Sequence, residues 1–339
     1  MNSIPVASLD ELPPPPPGCE GWPWTQQSDP LSDCTPDGSD WPSISVVMPS
    51  LNQAEYLEEA IRSVLLQGYP NLEFVIRDGG SSDGSVEIIR KYEQWISHWV
   101  SQPDGGQSAA INAGFDETSG EVFNWLCSDD ILYPGALRTV GEAFASDPSA
   151  DVVCGNTHVD DRFDSSCTHL FRADWRRIRQ MPFRNTCPQQ SCFWRRGVIN
   201  RAALLDKNLY YCMDYELWCY LLSQTKRWKT IPDTLAEFRM YGENKTSDAG
   251  SAKLDELEEV YRRYRDDRVP LTWWYRHWLY PIDVWAGHRS TRLRKHIKQL
   301  ARAVFVLVLG PWYGPGLCRM ISWPTYYAPG RRQGKGSGE

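Results

Sequence analysis

Between Ile44 and Gly155, short apolar runs alternate with segments of helical period, and the second and fourth runs stop at clusters of Asp, Gly and Ser. Few folds tolerate that order. Ile44–Met48, bounded by Pro42 and Pro49, reads as a buried strand. Ala54–Gln67 follows with Leu57, Ala60, Ile61, Val64 and Leu65 at helical spacing, and Gly68 sits where a C-terminal cap belongs. The same reading gives strands at Leu72–Ile76, Trp99–Ser101, Val122–Leu126 and Val152–Gly155. It gives helices at Ser82–Tyr92, Gln107–Phe115 (ending near Gly114) and Pro134–Phe144. The alternation predicts an α/β domain, a mainly parallel sheet flanked by helices. Ligands of such sheets sit at the carboxyl ends of the strands. Asp78-Gly79-Gly80-Ser81 and Ser128-Asp129-Asp130 both fall there, so the two clusters are expected to share one site.

The flanks differ in character. Residues 1–42 hold an unbroken proline run, Pro13–Pro17, and Asp29, Asp33, Asp37 and Asp40 scattered among Ser, Gly and Pro, which predicts a disordered tail. The catalytic domain is assigned to 43–250. Its second half reads as α+β, with a strand at Gln190–Trp194 and a helix at Asp214–Leu222. Residues 251–339 are assigned to a helical, aromatic and basic extension with a flexible end. It opens with a charged surface helix, Lys253–Asp267, and continues through Trp273, Trp274, Trp278 and Trp285. Arg289, Arg292, Arg294, Lys295, Lys298 and Arg302 then precede the apolar run Ala303–Leu309.

That run is far shorter than the ~20 apolar residues a membrane-spanning helix needs. Its basic approach fits a helix lying on an anionic membrane surface, or a packed extension with solvated arginines. The net charge of -7 gives no case for a nucleic-acid partner. Ten cysteines include no Cys-X-X-Cys pair, and Met1–Asp10 has neither a basic nor an apolar leader region. Reduced thiols in a cytoplasmic protein, peripheral on the inner membrane face, are the expectation.

Four clusters could carry chemistry. Adjacent carboxylates such as Asp129 and Asp130 repel unless a cation or donors offset them, and Mg²⁺ or Mn²⁺ held with substrate phosphates is one solution; a helix cap is the other. Asp78 with Gly79 and Gly80 could admit a ligand backbone-close or simply form a capped turn. In Asp104-Gly105-Gly106-Gln107-Ser108, Gln107 and the later Asn112 offer neutral donors suited to a sugar or phosphate. Asp214, at a helix start, could be a general base or a charge favoured by the helix dipole. Glu216, two residues on, points away from it.

These segments together resemble family 2 glycosyltransferases, which have the GT-A fold. The resemblance rests on ISVVMPSLNQAEYLEEAIRSVLLQGYPNLEFVIRDGGSSDGS, then GGQSAAINAGF, NWLCSDDILYPGAL, CPQQSCFWRR and MDYELW, in that order across roughly Ser43–Thr246. It implies a sugar transfer from a nucleotide diphosphate donor, UDP-sugar favoured, to a glycan or lipid-linked acceptor hydroxyl, inverting and dependent on Mn²⁺ or Mg²⁺. It places Pro49, Ser50 and Asn52 in the first loop of the nucleotide site. Asp78 would contact base or ribose with Gly80 beside it, and Gln107 would lie near the nucleotide-sugar. Asp129 and Asp130 match the metal and diphosphate motif, with Asp130 the metal ligand. Asp214 falls on the catalytic base.

The sequence departs from the pattern twice: Met213 replaces an acidic residue, and no histidine occurs in Arg239–Thr246, where Arg239 and Lys245 could instead meet phosphate. Gln224-Thr225-Lys226-Arg227-Trp228 matches the Gln-X-X-Arg-Trp pattern of processive synthases but falls in a helix-to-strand turn, and reads as coincidence. A nucleotidyltransferase would need a basic glycine-rich loop after Met48, and no Lys or Arg occurs until Arg62. A non-catalytic nucleotide-sugar-binding module would not need Asp78, Asp130 and Asp214 together.

Overall fold

In the computed structural model, nine strands and ten helices are laid out over residues 4–36, 38–162, 168–181, 185–241, 245, 252–265, 269, 271–286 and 292–313, the residues described here. Strands β1 (Ile44–Ser50), β2 (Leu72–Asp78), β3 (His98–Ser101) and β4 (Val122–Trp125) alternate with α1 (Ala54–Leu65), α2 (Ser85–Tyr92) and α3 (Gln107–Glu117). β5 (Ile131–Leu132), α4 (Ala136–Ser146), β6 (Val152–Asp161), β7 (His169–Phe171), α5 (Trp175–Ile178) and β8 (Cys192–Arg195) follow. Then come α6 (Met213–Gln224), β9 (Trp228–Met240), α7 (Ala252–Tyr264), α8 (Leu271–Trp274), α9 (Tyr280–Ala286) and α10 (Arg292–Tyr313). The sheet runs β3-β2-β1-β4-β8-β6-β9-β5, with β7 on β6. β3, β2, β1 and β4 are mutually parallel, whereas β8 joins β4 and β6 antiparallel. β1 and β2 are buried along their whole length, as a parallel sheet covered on both faces requires. Register aligns Ser50 with Asp78 and Asp78 with Ser101, so three polar side chains end three adjacent strands at one level.

Local chemistry moves two boundaries from where periodicity puts them. α2 begins at Ser85, not Ser82, because the Asp83 carboxylate accepts from the Ser85 amide and hydroxyl, and Gly84 takes φ 99°. α3 runs through Gly114 to Glu117. A Cβ on Gly114 would lie 2.5 Å from the Val47 side chain, so this glycine lets the helix close onto β1 rather than ending it.

Residues 4–36 are not the disordered tail that the composition of residues 1–42 predicts. Ile4, Ala7, Leu12 and Trp41 are buried in the same core as α1 and α4. The Ile4 amide donates to the Leu72 carbonyl (3.1 Å), and the Trp22 indole donates to the Leu132 carbonyl (2.8 Å). The anchor is Arg62, fully buried on α1. Its guanidinium donates to the carbonyls of Pro13 (2.9 Å), Pro23 (3.0 Å) and Trp24 (3.0 Å) and to the Tyr92 hydroxyl (3.1 Å). Prolines suit this role: they lack an amide to satisfy, and their carbonyls remain to accept.

The chain divides into two compact units that interleave along the sequence. One holds residues 1–175, 187–207 and 221–239; the other holds 176–186, 208–220 and 240–339. The split is therefore not at residue 250. In the second unit, the charged α7 buries Leu254, Leu257, Val260 and Tyr261, so it is only partly a surface helix. Among the described residues all eight cysteines are free thiols, and Cys154, Cys187 and Cys192 meet in the interior, with Cys154 and Cys187 sulfurs 3.6 Å apart. No helix among the described residues is long and apolar enough to cross a membrane.

Candidate functional site

The carboxyl ends of β1, β2, β3 and β4 carry four polar loops. Pro49 and Ser50 close β1. The Ser50 hydroxyl is buried without a hydrogen-bond partner, an orphaned polar atom at the mouth of the sheet. Asn52 has φ 52°, a left-handed conformation asparagine tolerates better than most residues. It is held there by two bonds to the next loop: its amide donates to Ser81 Oγ (2.7 Å), and its side-chain oxygen accepts from the Ser82 amide (2.9 Å).

Asp78 organises that second loop. Its carboxylate accepts from the Gly80 amide (3.1 Å), the Ser81 amide (2.9 Å), the Ser81 hydroxyl and the Ser101 hydroxyl (2.7 Å), and the residue is 1% exposed. Gly80 adopts φ 87° and is exposed. Asp78 thus meets its own loop first, and the surface turned to solvent is the Gly80–Asp83 backbone and side chains.

The third loop opens α3. Asp104 accepts from the Gly106 amide (2.8 Å), and Gly105 and Gly106 both have positive φ. Gln107 donates to the Cys127 sulfur at 3.2 Å, which ties α3 to the loop after β4. Asn112 is not a ligand donor. It is buried, and its amide clamps the Leu205 backbone in both directions, 2.9 Å to the carbonyl and 2.7 Å from the amide.

Asp129 and Asp130 occupy a turn just past β4. Asp129 is partly exposed, and Asp130 is 1% exposed. Gln190 donates its side-chain amide to one Asp130 oxygen (2.9 Å), and the Arg239 backbone amide donates to the other (3.2 Å). Burial pushes the Asp130 carboxyl well above the ordinary range, and the neighbouring Asp129 charge adds to the shift. Cys127, Asp129 and Asp130 offer ligand atoms all within 4.8 Å of one another. Two carboxylates make a hard oxygen set that suits Mg²⁺ or Mn²⁺ completed by phosphate oxygens, so the residues present fit such an ion. The Arg239 guanidinium is buried and pairs with Glu59 (2.8 Å) and Glu237 (3.5 Å). Gln190 belongs to the Cys187–Arg196 segment but stands out in it only as one of two glutamines, so pattern reading assigns it no task.

Asp214 lies in the second unit, in the first turn of α6, partly buried. Asn185 donates to one carboxylate oxygen (2.8 Å), and the Tyr215 amide donates to the other (2.7 Å). Burial raises its carboxyl above the usual aspartate value; the Tyr215 amide, Lys253, Asn185 and Lys245 pull the other way. Glu216 is buried and accepts from the Tyr264 hydroxyl (2.6 Å), consistent with pointing elsewhere. Glu256 of α7 accepts from the amides of Tyr210 (2.9 Å), Tyr211 (2.7 Å) and Cys212 (2.8 Å), fixing the loop that leads into Asp214. Nothing in the charged sequence of α7 singles Glu256 out. Lys245 sits over the Tyr210 ring (3.8 Å); Gly242–Asn244 and Thr246 lie outside the described residues. Arg227 forks onto Asp151 (2.8 and 2.7 Å), so the Gln-X-X-Arg-Trp match is a structural turn.

Residues 45–209 match the family model described as Glycosyl transferase family 2. An uncharacterized glycosyltransferase of Nostoc sp. (strain PCC 7120) is 28% identical over 229 residues, 63% of this chain and 69% of that relative. Two rickettsial relatives are matched over only 58% of their length. Among solved structures, Staphylococcus aureus TarS 1-349 in complex with UDP-GlcNAc superposes with a TM-score of 0.56 at 14% identity, covering 83% of this chain and 90% of that one. A mannosyltransferase from Pyrobaculum calidifontis, in complex with GDP-Man and Mn²⁺, superposes with a TM-score of 0.53 at 15% identity, covering 88% and 89%.

Proposed function

We propose that this chain, which belongs to glycosyltransferase family 2, moves a sugar from a nucleoside diphosphate donor to an acceptor hydroxyl by direct displacement, with inversion and with help from Mn²⁺ or Mg²⁺. The observation that carries the reading is a buried carboxylate, Asp130, beside the partly exposed Asp129 just past a strand end, with Asp130 positioned by Gln190 and the Arg239 amide. A buried carboxylate beside a second one is a costly arrangement unless a cation completes it. The TarS and mannosyltransferase structures hold a UDP-sugar and a GDP-sugar with Mn²⁺ respectively, which supports a donor of this class; a UDP-sugar is favoured.

Each residue then has a task. The Asn52 and Gly80 loops, drawn together by Asp78 and Ser81, form the bed for base and ribose. The unpartnered Ser50 hydroxyl and Gln107 offer hydrogen bonds to the donor. Asp130, with Asp129, would hold the ion, which when bound takes up charge developing on the departing diphosphate. Asp214 accepts the proton from the acceptor hydroxyl as it attacks the anomeric carbon. A glycan or lipid-linked acceptor, and a role in polysaccharide or glycan synthesis, complete the proposal. A nucleotidyltransferase reading finds no support in the first loop, because Arg62, the first basic residue after Met48, is buried under the N-terminal segment.

The test is release of nucleoside diphosphate from UDP- and GDP-sugars together with the anomeric configuration of the product. An α-linked donor is expected to give a β-linked product. Retained configuration would contradict single displacement, and release of pyrophosphate instead would favour nucleotidyl transfer.

A further inference from the structure

Among the described residues, helix α10 is packed on one side. Phe305 and Leu309 are buried, and Phe305 meets Trp278 edge to face at 5.7 Å. Lys298 and Arg302 on the same side both reach Asp283 at 3.0 Å. The other side carries Leu293, Ile297, Leu300, Val304 and Leu307, at alternating steps of four and three, a single continuous face over four turns. Leu293, Leu300 and Leu307 are 69%, 66% and 75% exposed, and Trp312 beyond them is 84% exposed. A stripe of this length in water marks an interaction surface rather than scattered surface leucines.

Charge decides what covers it. From Arg292 to Tyr313 the helix has no acidic residue, and its basic residues all lie in the first half, up to Arg302. Arg294 and His296 border the start of the stripe and are exposed. Arg294 lies over the Trp285 ring at 5.0 Å, and that ring is itself half exposed on α9. The steps of four and three would also suit a coiled coil with a second copy of this chain. That pairing offers Arg294 and His296 no carboxylate, and in parallel register sets them against their own kind. An anionic bilayer offers apolar depth for the leucines and Trp312 together with negative charge for the border. The π-faced Trp285 under a guanidinium suits the same boundary.

We infer that α10 lies in the plane of an anionic lipid surface, with its Leu293–Leu307 stripe toward the acyl chains and its basic first half at the headgroups. This goes beyond the transfer chemistry and does not depend on it, since the readout is binding alone. It would bring the chain to the surface where a lipid-linked acceptor is held.

The test uses the full chain and sedimentation with vesicles of phosphatidylcholine, with or without phosphatidylglycerol. Binding to the anionic vesicles is expected, on the order of tenfold or more tighter than to neutral ones, and weakened by salt. The Leu300→Glu/Leu307→Glu double variant is expected to lose that binding while its circular dichroism and melting stay as in wild type, because both side chains are exposed. Failure of the wild type to bind anionic vesicles would overturn the inference, as would undiminished binding by the double variant. A wild-type dimer that the double variant abolishes, without vesicle binding, would assign the stripe to a second copy instead.

Discussion

Replacing Asp214 by Asn is expected to lower the rate of sugar transfer by about 10²–10⁴-fold while leaving donor affinity close to wild type. The substitution keeps size and hydrogen-bonding shape. The Tyr215 amide can still donate to the remaining oxygen, and Asn185 can turn its own amide to present a carbonyl to the new NH₂ group. What is removed is the capacity to take a proton. As the proposed base, the same carboxyl is expected to set the acid limb of the pH profile. Burial holds its folded pKa above that of an ordinary aspartate, so the base form is lost as pH falls through that raised value, and activity falls with it. Asn185 donates to the charged form and so pulls the pKa down; Asn185→Ala is expected to move the limb to higher pH. A near-normal rate for Asp214→Asn, or a limb that ignores Asn185, would remove Asp214 from the role of base.

Arg62→Ala is expected to destabilise the first unit by about 3–5 kcal/mol, a large share of a domain's stability. The change deletes four hydrogen bonds and takes the partner from three backbone carbonyls, one at buried Pro23 and two at half-buried Pro13 and Trp24. It also removes the guanidinium from beside the Trp24 ring, 5.4 Å away. Arg62→Lys keeps the charge but cannot fork to three carbonyls, so it is expected to recover only part of the loss. Urea unfolding measures both. A loss below about 1 kcal/mol for Arg62→Ala, in the range of ordinary surface substitutions, would mean the N-terminal segment is held by its apolar side chains alone.

The two large effects mark what was and was not legible in the sequence. The parallel half of the sheet was legible because β1 and β2 are buried on both faces, which favours short runs rich in apolar residues. Polar clusters at strand ends then follow from where such sheets bind ligands. The N-terminal segment was not legible, because proline and scattered Asp look alike whether a chain is solvated or pinned. The signal that was available lay in Ile4, Leu12, Trp22, Trp24 and Trp41, five large apolar residues that a solvated tail has no use for. Asn112 was misjudged because a neutral amide near a glycine-rich loop suits a ligand and a backbone clamp equally well. Only the partner, the Leu205 backbone far along the chain, distinguishes them. Gln190 and Glu256 escape for the same reason: each acts on a residue remote in sequence, on Asp130 and on the amides before Asp214.

The account rests on Asp130 organising a metal-assisted diphosphate site. Calorimetric titration of UDP and of GDP into the chain, with and without Mn²⁺, tests this most directly when wild type and Asp130→Ala are run together. The account predicts that wild type binds one of the two nucleotides in a Mn²⁺-dependent way and that Asp130→Ala, still folded, loses this binding. Equal binding by Asp130→Ala, or binding indifferent to Mn²⁺ in wild type, would contradict it.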